Sequence, residues 1–273
     1  MMADKKRVDV ALVERGLAAS REKAQALVMA GVVYIGENKV TKASVAVAAE
    51  DELIVRQSGT GYVSRGALKL EKGLKVFGVD PKGVVAMDLG ASTGGFTDVL
   101  LKNGAAHVYS IDVGYGQLDW SLRNDSRVTV MERTNARYLK AEDLPLHPTL
   151  GVMDVSFISI TKILPAAAEI MGEDGAFISL IKPQFEAGRE RVGKKGVVRD
   201  AQVHRDVILE ILAFIEHEMG WAAQALSFSP IKGPEGNIEF LVYILPKSKA
   251  THHVTEDEVD EVVRQAHEGL RDA

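Results

Sequence analysis

Asp88-Leu-Gly-Ala-Ser-Thr-Gly-Gly-Phe-Thr97 is the stretch that decides the fold. The run leading into it, Val84-Val-Ala-Met-Asp-Leu89, is short, apolar and β-branched at its start, which predicts a buried strand. Phe96 to Lys102 has helical spacing, so the stretch reads as strand, glycine-rich turn, helix. Gly90, Gly94 and Gly95 carry no Cβ and let a ligand approach the backbone. The free N–H groups of the helix start favour an anionic group there. The spacing G-x-x-x-G-G is neither G-x-G-x-x-G nor a P-loop. Asp88, at the end of the strand, suits a ligand with positive charge near a polar tail. S-adenosylmethionine, with its sulfonium, ammonium and carboxylate, is such a ligand. Glycine-rich turns of this kind also hold other nucleotides or none, so the stretch alone leaves those readings open.

Downstream, strand and helix alternate. His107 to Asp112 is a second strand ending in an acid, 24 residues after Asp88. An acid at that strand tip commonly receives ribose hydroxyls. Arg127 to Met131 is a third strand, and Asn135 beyond it suits an adenine edge, because an amide both donates and accepts. Leu150 to Val155 is a fourth strand carrying Asp154, followed by a helix from Thr161 to Met171. Ala176 to Lys182 is a fifth, closed by Lys182. A polar loop, Pro183 to Asp200, and a long helix to Glu218 come next. Trp221 to Ser229 and Asn237 to Leu245 form a final hairpin. This order predicts a mostly parallel, doubly wound sheet with an antiparallel edge. Ligands bind outside the carboxyl ends of such strands, where Asp88, Asp112, Asp154 and Lys182 all fall. Asp154-Val-Ser-Phe157 stands where amine methyltransferases place N-P-P-[YF], and the chain has no cysteine, so the site suits hydroxyl rather than amine or cysteine-assisted carbon chemistry.

Upstream lies a different composition. The net charge is −5, but residues 251–273 hold seven acids against two arginines, and residues 1–82 carry 14 Lys/Arg against 10 Asp/Glu. A basic front end is hidden by an acidic tail. Val8 to Arg15 is an amphipathic helix stopped by Gly16, and Ser20 caps a second, Arg21 to Ala30, before Gly31. Small strands follow at Val32–Ile35, Lys39–Thr41 and Glu52–Arg56. Gln57 to Gly61 reads as a flexible joint. Beyond it, Ser64 is positioned to cap a helix whose Ala67, Leu70, Leu74 and Phe77 make one stripe. Lys69 lies just off that stripe, and position alone reads it as a solvent lysine. No run reaches 18 apolar residues, and no signal-type apolar region follows Met1, which points to a cytoplasmic location. Thr255-Glu-Asp-Glu258 is a capping box that opens a terminal helix striped by Val259, Val262, Val263 and Ala266. The helix is expected to dock on the body.

Two resemblances sharpen these readings. Ser20-Arg21 with Ala24, Gly31-Val-Val33 and Lys42-Ala-Ser44 resemble the small RNA-binding module first described in ribosomal protein S-four. Val63-Ser-Arg-Gly-Ala-Leu-Lys69, Asp88 to Thr97, Asp154-Val-Ser-Phe157 and Lys182-Pro-Gln-Phe185 together resemble the TlyA, or hemolysin A, family, whose large domain is similar to FtsJ-type ribose 2′-O-methyltransferases. The resemblance spans residues 6 to about 246. It implies an α/β fold: a Rossmann-like class I methyltransferase sheet, mostly parallel with an antiparallel last strand, behind a small N-terminal α+β RNA-binding domain. The implied division is 1–58 for that domain, 59–63 for the linker, 64–248 for the methyltransferase domain and 249–273 for an acidic C-terminal helix and tail.

The implied reaction is S-adenosylmethionine-dependent 2′-O-methylation of ribosomal RNA, on cytidine of the small subunit, the large subunit or both, with ribosomal subunits as partners and no metal.

 The implied catalytic set is Lys69, Asp154, Lys182 and Glu239. The cofactor would lie against Asp88, Gly90, Ala91, Ser92, Thr93, Gly94, Gly95, Phe96, Asp112, Asn135 and Asp154, with Asp88 as partner of the methionine ammonium. Candidate phosphate contacts are Arg7, Arg21, Lys23, Lys39 and Lys42 in the front module and Arg65, Arg189, Lys194 and Lys195 beyond it. Three other readings stay open at this level: an RNA-binding protein with a non-catalytic methyltransferase fold, a small-molecule O-methyltransferase, and a membrane-active hemolysin. The sequence has no spanning or strongly cationic amphipathic segment to favour the last.

Overall fold

A computed structural model describes residues 5–29, 32–36, 38–49, 51–55, 61–193 and 195–271. The chain forms two compact units, Met1–Tyr62 and Val63–Ala273. The expected joint at 57–60 lies outside the described residues, as do Ala30, Gly31 and Lys194.

In the first unit, β1 (Lys6–Arg7) leads into α1 (Val8–Glu14) and α2 (Arg21–Met29). β2 (Val33–Ile35), β3 (Asn38–Lys39), β4 (Ala46–Val47) and β5 (Leu53–Val55) follow. β2 is the centre of a three-stranded antiparallel sheet, and β1 pairs with β4, a pairing too short to read in advance. Ser20 Oγ accepts from Lys23 N, so it caps α2 as expected. Val8, Leu12, Ala24, Val28, Val33 and Val47 form a small core, which a module of this size can fill with few side chains.

The second unit opens with α3 (Ala67–Phe77), then β6 (Val85–Leu89), α4 (Gly95–Lys102), β7 (His107–Ile111), α5 (Trp120–Arg123) and β8 (Val128–Met131). It continues through β9 (Leu150–Met153), α6 (Leu164–Met171), β10 (Ala176–Ile181), α7 (Pro183–Glu186), α8 (Ala201–Ala213), β11 (Trp221–Phe228), β12 (Phe240–Pro246) and α9 (Glu256–Gly269). The seven strands lie in the order β11-β12-β10-β9-β6-β7-β8. β6 to β10 run parallel, and β12 runs antiparallel to both β10 and β11. Central strands are buried on both faces, as near-continuous apolar runs require.

Several local expectations change. Ser64 does not cap α3: the N-cap is Gly66, and the Ser64 carbonyl accepts from Ala67 N. The loop after β10 begins with a short helix, α7, because Pro183 is suited to a first helical turn. The long helix ends in a π-turn over Phe214–Glu218. α9 carries the expected capping box and buries Val259, Val263 and Ala266. Arg205 of α8 pairs with Glu256 and Asp260 of α9, so the terminal helix belongs to the body of this unit.

Candidate active site

The parallel strands deliver their last residues to one rim. Asp112 follows β7, Asp154 follows β9 and Lys182 follows β10. A cavity of about 480 Å³ opens there, lined among others by Gly90, Ser92, Asp112, Asn135, Asp154 and Phe157. At Gly90, φ is +87° and a Cβ would meet the Asp154 carbonyl at 2.8 Å, so glycine is needed where the turn passes the cavity. Gly94 and Gly95 do something else. A Cβ on Gly94 would overlap Leu122, and one on Gly95 would overlap Ser64. Those two glycines serve packing of α5 and α3 against the turn.

Asp88 does not line the cavity. It is fully buried, and its Oδ2 accepts from Thr97 N at 2.9 Å and Thr97 Oγ1 at 2.7 Å. Oδ2 thereby supports the first turn of α4 from below, while Oδ1 has no hydrogen-bond partner among the described residues. Burial pushes its pKa up to about 7, with the Asp154 and Asp112 charges adding to the shift and the Thr97 hydrogen bonds opposing it. Ala91, Thr93 and Phe96 are likewise absent from the lining. Asp112 lines the cavity while its Oδ2 accepts from Ser92 N at 2.8 Å and its Oδ1 from Gly114 N at 2.7 Å. Two backbone donors fix the carboxylate, and each oxygen retains a further lone pair for a ligand hydroxyl. Asn135 Oδ1 accepts from Arg137 N, which orients the amide at the cavity edge.

Lys69, Asp154, Lys182 and Glu239 come together. Lys69 Nζ donates to Glu239 Oε2 at 2.6 Å and to Asp154 Oδ2 at 3.4 Å. Lys182 Nζ lies 2.6 Å from Asp154 Oδ1 as an ion pair, and donates to Ser156 Oγ at 2.9 Å. The Asp154 pairing is close in distance but lacks hydrogen-bond angles, so Ser156 is the partner that directs the ammonium. Both lysines are buried, contrary to the solvent reading of Lys69. For Lys69 burial acts to lower the pKa, but the Asp154 and Glu239 charges and hydrogen bonds together outweigh it and raise the value. Glu239 is fully buried: Oε1 accepts from Gln184 Nε2 at 3.2 Å, and a Cβ on Gly233 would overlap it. Of these four residues only Asp154 lines the cavity, together with Ser156; Lys69 and Lys182 lie behind it with about 6% of their surface exposed, and Glu239 is fully buried.

Sequence reasoning missed the aromatic rim. Phe157 is 91% exposed at φ +65°, a conformation that costs a non-glycine residue energy. Its ring tilts against Phe185 at 5.0 Å. Tyr115 carries Arg133 over its ring at 4.3 Å, and Tyr138 carries Arg137. The signal was present in Asp154-Val-Ser-Phe157 and Asp112-Val-Gly-Tyr115, where an aromatic residue stands three positions past an acid at a strand tip. Among the expected phosphate contacts, Arg65, Arg189 and Lys195 are exposed in this unit. Arg65 Nη2 donates to the Lys232 carbonyl. In the first unit Lys42 is exposed, and Arg7 and Arg21 converge on Asp9; the Lys39 side chain and Lys194 lie outside the described residues.

No helix among the described residues is long and apolar enough to cross a membrane. Residues 62–244 match the FtsJ-like methyltransferase family, and residues 6–53 match the S4 domain. The chain is 46% identical to the 16S/23S rRNA (cytidine-2'-O)-methyltransferase TlyA of Mycobacterium tuberculosis, over 89% of this chain and 91% of that protein. It is 41% identical to Hemolysin A of Brachyspira hyodysenteriae, over 88% and 99%. A solved structure from Streptococcus thermophilus, described provisionally as a hemolysin, aligns with a TM-score of 0.77 at 43% identity, covering 99% of this chain and 98% of that one. With both domains matched and whole-length relatives at this identity, the chain belongs to the TlyA/hemolysin A family of S-adenosylmethionine-dependent, FtsJ-like methyltransferases.

Proposed function

We propose that this chain methylates the ribose 2′-hydroxyl of cytidine in ribosomal RNA. The observation that carries the reading is the Lys182–Asp154–Lys69–Glu239 network, with Asp154 and the glycine turn sharing one cavity. The identity to the Mycobacterium tuberculosis enzyme supports the same substrate.

The cavity suits the cofactor. Gly90 admits close approach, Asp112 offers acceptors for ribose hydroxyls, and Asn135 offers an amide for the adenine edge. Bound S-adenosylmethionine supplies an electrophilic methyl group on a positively charged sulfur. The chain supplies position and charge stabilisation. Lys182 Nζ, aimed by Asp154 and Ser156, holds the 2′-oxygen as a cation and stabilises the negative charge that grows on it as the hydroxyl proton is lost to solvent. Lys69 steadies Asp154 from the other side. Glu239, fully buried and bonded to Lys69 Nζ, is a positioning residue for Lys69. Phe157 offers a flat apolar surface to an unstacked base beside the reacting ribose. Good orientation of a strong electrophile supplies much of the catalysis.

The first unit would hold RNA phosphates through its basic side chains, and Arg65, Arg189, Lys194 and Lys195 would extend that grip. We divide the chain into an RNA-binding domain at 1–58, a linker at 59–63, a methyltransferase domain at 64–248 and a C-terminal helix and tail at 249–273. A cytoplasmic location follows from a ribosomal substrate.

The test is transfer of labelled methyl from S-adenosylmethionine to purified ribosomal subunits, digested to nucleosides, with Lys182→Ala beside the wild type. Label in 2′-O-methylcytidine, reduced roughly 100-fold or more in the variant, is the expected result. Label on a base, or equal label in both proteins, would sink the assignment.

A further inference from the structure

Asp9 is set apart from the other acids of the first unit by its burial and its partners. It lies in the first turn of α1 and is fully buried. Its Oδ1 accepts from Arg7 Nε at 3.0 Å, and its Oδ2 accepts from Arg7 Nη2 at 3.0 Å. The same Oδ2 accepts from Arg21 Nη2 at 3.1 Å and Gln25 Nε2 at 3.0 Å. Arg7 precedes α1 and Arg21 opens α2, so one carboxylate ties the starts of both helices together. The Arg7 hydrogen bonds, against the effect of burial and with help from Gln25 and Arg21, hold the Asp9 carboxyl well below the usual carboxylate range.

The two guanidiniums are held but not hidden. Their side chains remain 50% and 55% exposed. Arg7 uses one edge on Asp9 and Arg21 uses one nitrogen, and a guanidinium has five N–H donors. Most of the donors therefore face outward from two side chains whose rotamers are fixed from behind. A free arginine loses rotamer freedom when it grips a phosphate, and an arginine already fixed loses less.

We propose that Asp9 is a positioning residue that presents Arg7 and Arg21 as a preformed two-pronged site for an RNA phosphate. The inference rests on the RNA-binding reading of the first unit and adds the device that makes the grip specific in geometry. It has a consequence opposite to that of simple charge. Removing an acid from an RNA-binding face should tighten binding by electrostatics alone. Removing Asp9 should weaken it, because both prongs lose their support.

The experiment is binding of the full chain to purified 16S and 23S ribosomal RNA over a series of salt concentrations. Asp9→Asn is expected to bind roughly tenfold more weakly than wild type, with a salt dependence shallower by about one phosphate contact. Asp9→Glu is expected to recover part of the loss, which a purely structural defect would not show. Equal or tighter binding by Asp9→Asn overturns the inference. Arg7→Ala and Arg21→Ala separate it from the reading beneath it. If they bind like wild type, the module does not grip RNA through this face and both fall. If they weaken binding while Asp9→Asn does not, only the role of Asp9 falls. Should Asp9→Asn melt the module, Arg7→Lys with Arg21→Lys asks the same question, since lysine keeps charge but not the fork. A tenfold loss supports the inference, and unchanged binding overturns it.

Discussion

Lys69 Nζ donates to Glu239 Oε2 at 2.6 Å, joining the first helix of the large unit to the start of its last strand across 170 residues of sequence. Both groups are buried. Removing one partner of such a pair leaves the other charged and unpaired in a poor solvent, which costs about 3–5 kcal/mol. Glu239→Ala should therefore lower both stability and methyl transfer, whereas Glu239→Gln, which keeps an acceptor for Lys69, should retain more of each. Urea unfolding beside single-turnover methyl transfer measures the two. A Glu239→Ala protein as stable as wild type would show that the pair carries no such weight.

Phe157 holds a left-handed backbone conformation with its ring in solvent. Strain kept in an exposed residue is evidence of use rather than of stability. Phe157→Gly should relieve the backbone and leave stability unchanged or raised by up to about 1 kcal/mol. The same change should cut methyl transfer to RNA roughly tenfold or more, given the worth of one base–aromatic stack. Cofactor binding should change little. A glycine variant that is fully active would remove Phe157 from the reaction.

Asp88 contributes a pH dependence of definite sign. Its folded pKa, about 7, stands above the ordinary value of 3.8. Between those two values the folded state holds the extra proton, so stability falls as pH rises through the window. Asp88→Asn cannot ionise and should flatten that part of the profile. Unfolding free energies of both proteins from pH 4 to 8 decide the matter. Parallel curves would mean that Asp88 is ionised throughout.

His204 pulls in the opposite direction. It is fully buried, and its Nε2 meets the Val198 carbonyl at 3.2 Å, so Nε2 must donate. Its Nδ1 then accepts from His267 Nε2 of α9 at 2.9 Å. Burial, reinforced by His267, pushes the His204 pKa down to about 4 from 6.5. Below 6.5 the unfolded state binds the proton first, so stability is lost as pH falls toward 4. Hydrogen exchange in α9 should speed up between pH 6.5 and 4.5 in the wild type. In His204→Phe the pH-dependent part should vanish. Exchange with the same pH profile in both proteins, after correction for intrinsic rates, would refute the coupling.

The order of strands and helices was legible from the sequence because its apolar runs are short, regularly spaced and closed by glycine or an acid. That pattern placed Asp112, Asp154 and Lys182 at strand ends, where the sheet brings them to one rim. It also predicted the capped terminal helix, since a capping box is a local feature. Lys69 was read from its helix position as a solvent lysine, and only the family resemblance singled it out together with Glu239. Their pairing depends on contacts 85 and 170 residues apart, which no local pattern encodes.

Two pairs of residues show what the tertiary structure alone decided. Asp88 and Asp154 look alike in sequence, each an acid at the end of an apolar strand. Docking of α4 turns Asp88 inward onto Thr97, while Asp154 faces the cavity between two lysines. Arg7 and Arg21 looked like independent surface cations, and the packing of α1 on α2 puts one buried carboxylate behind both. Local sequence determines where an element starts, ends and turns its apolar face, because those preferences act over a few residues. Which polar groups are solvated, paired or buried is set by distant segments, because only the folded chain fixes the dielectric and the partners around each charge.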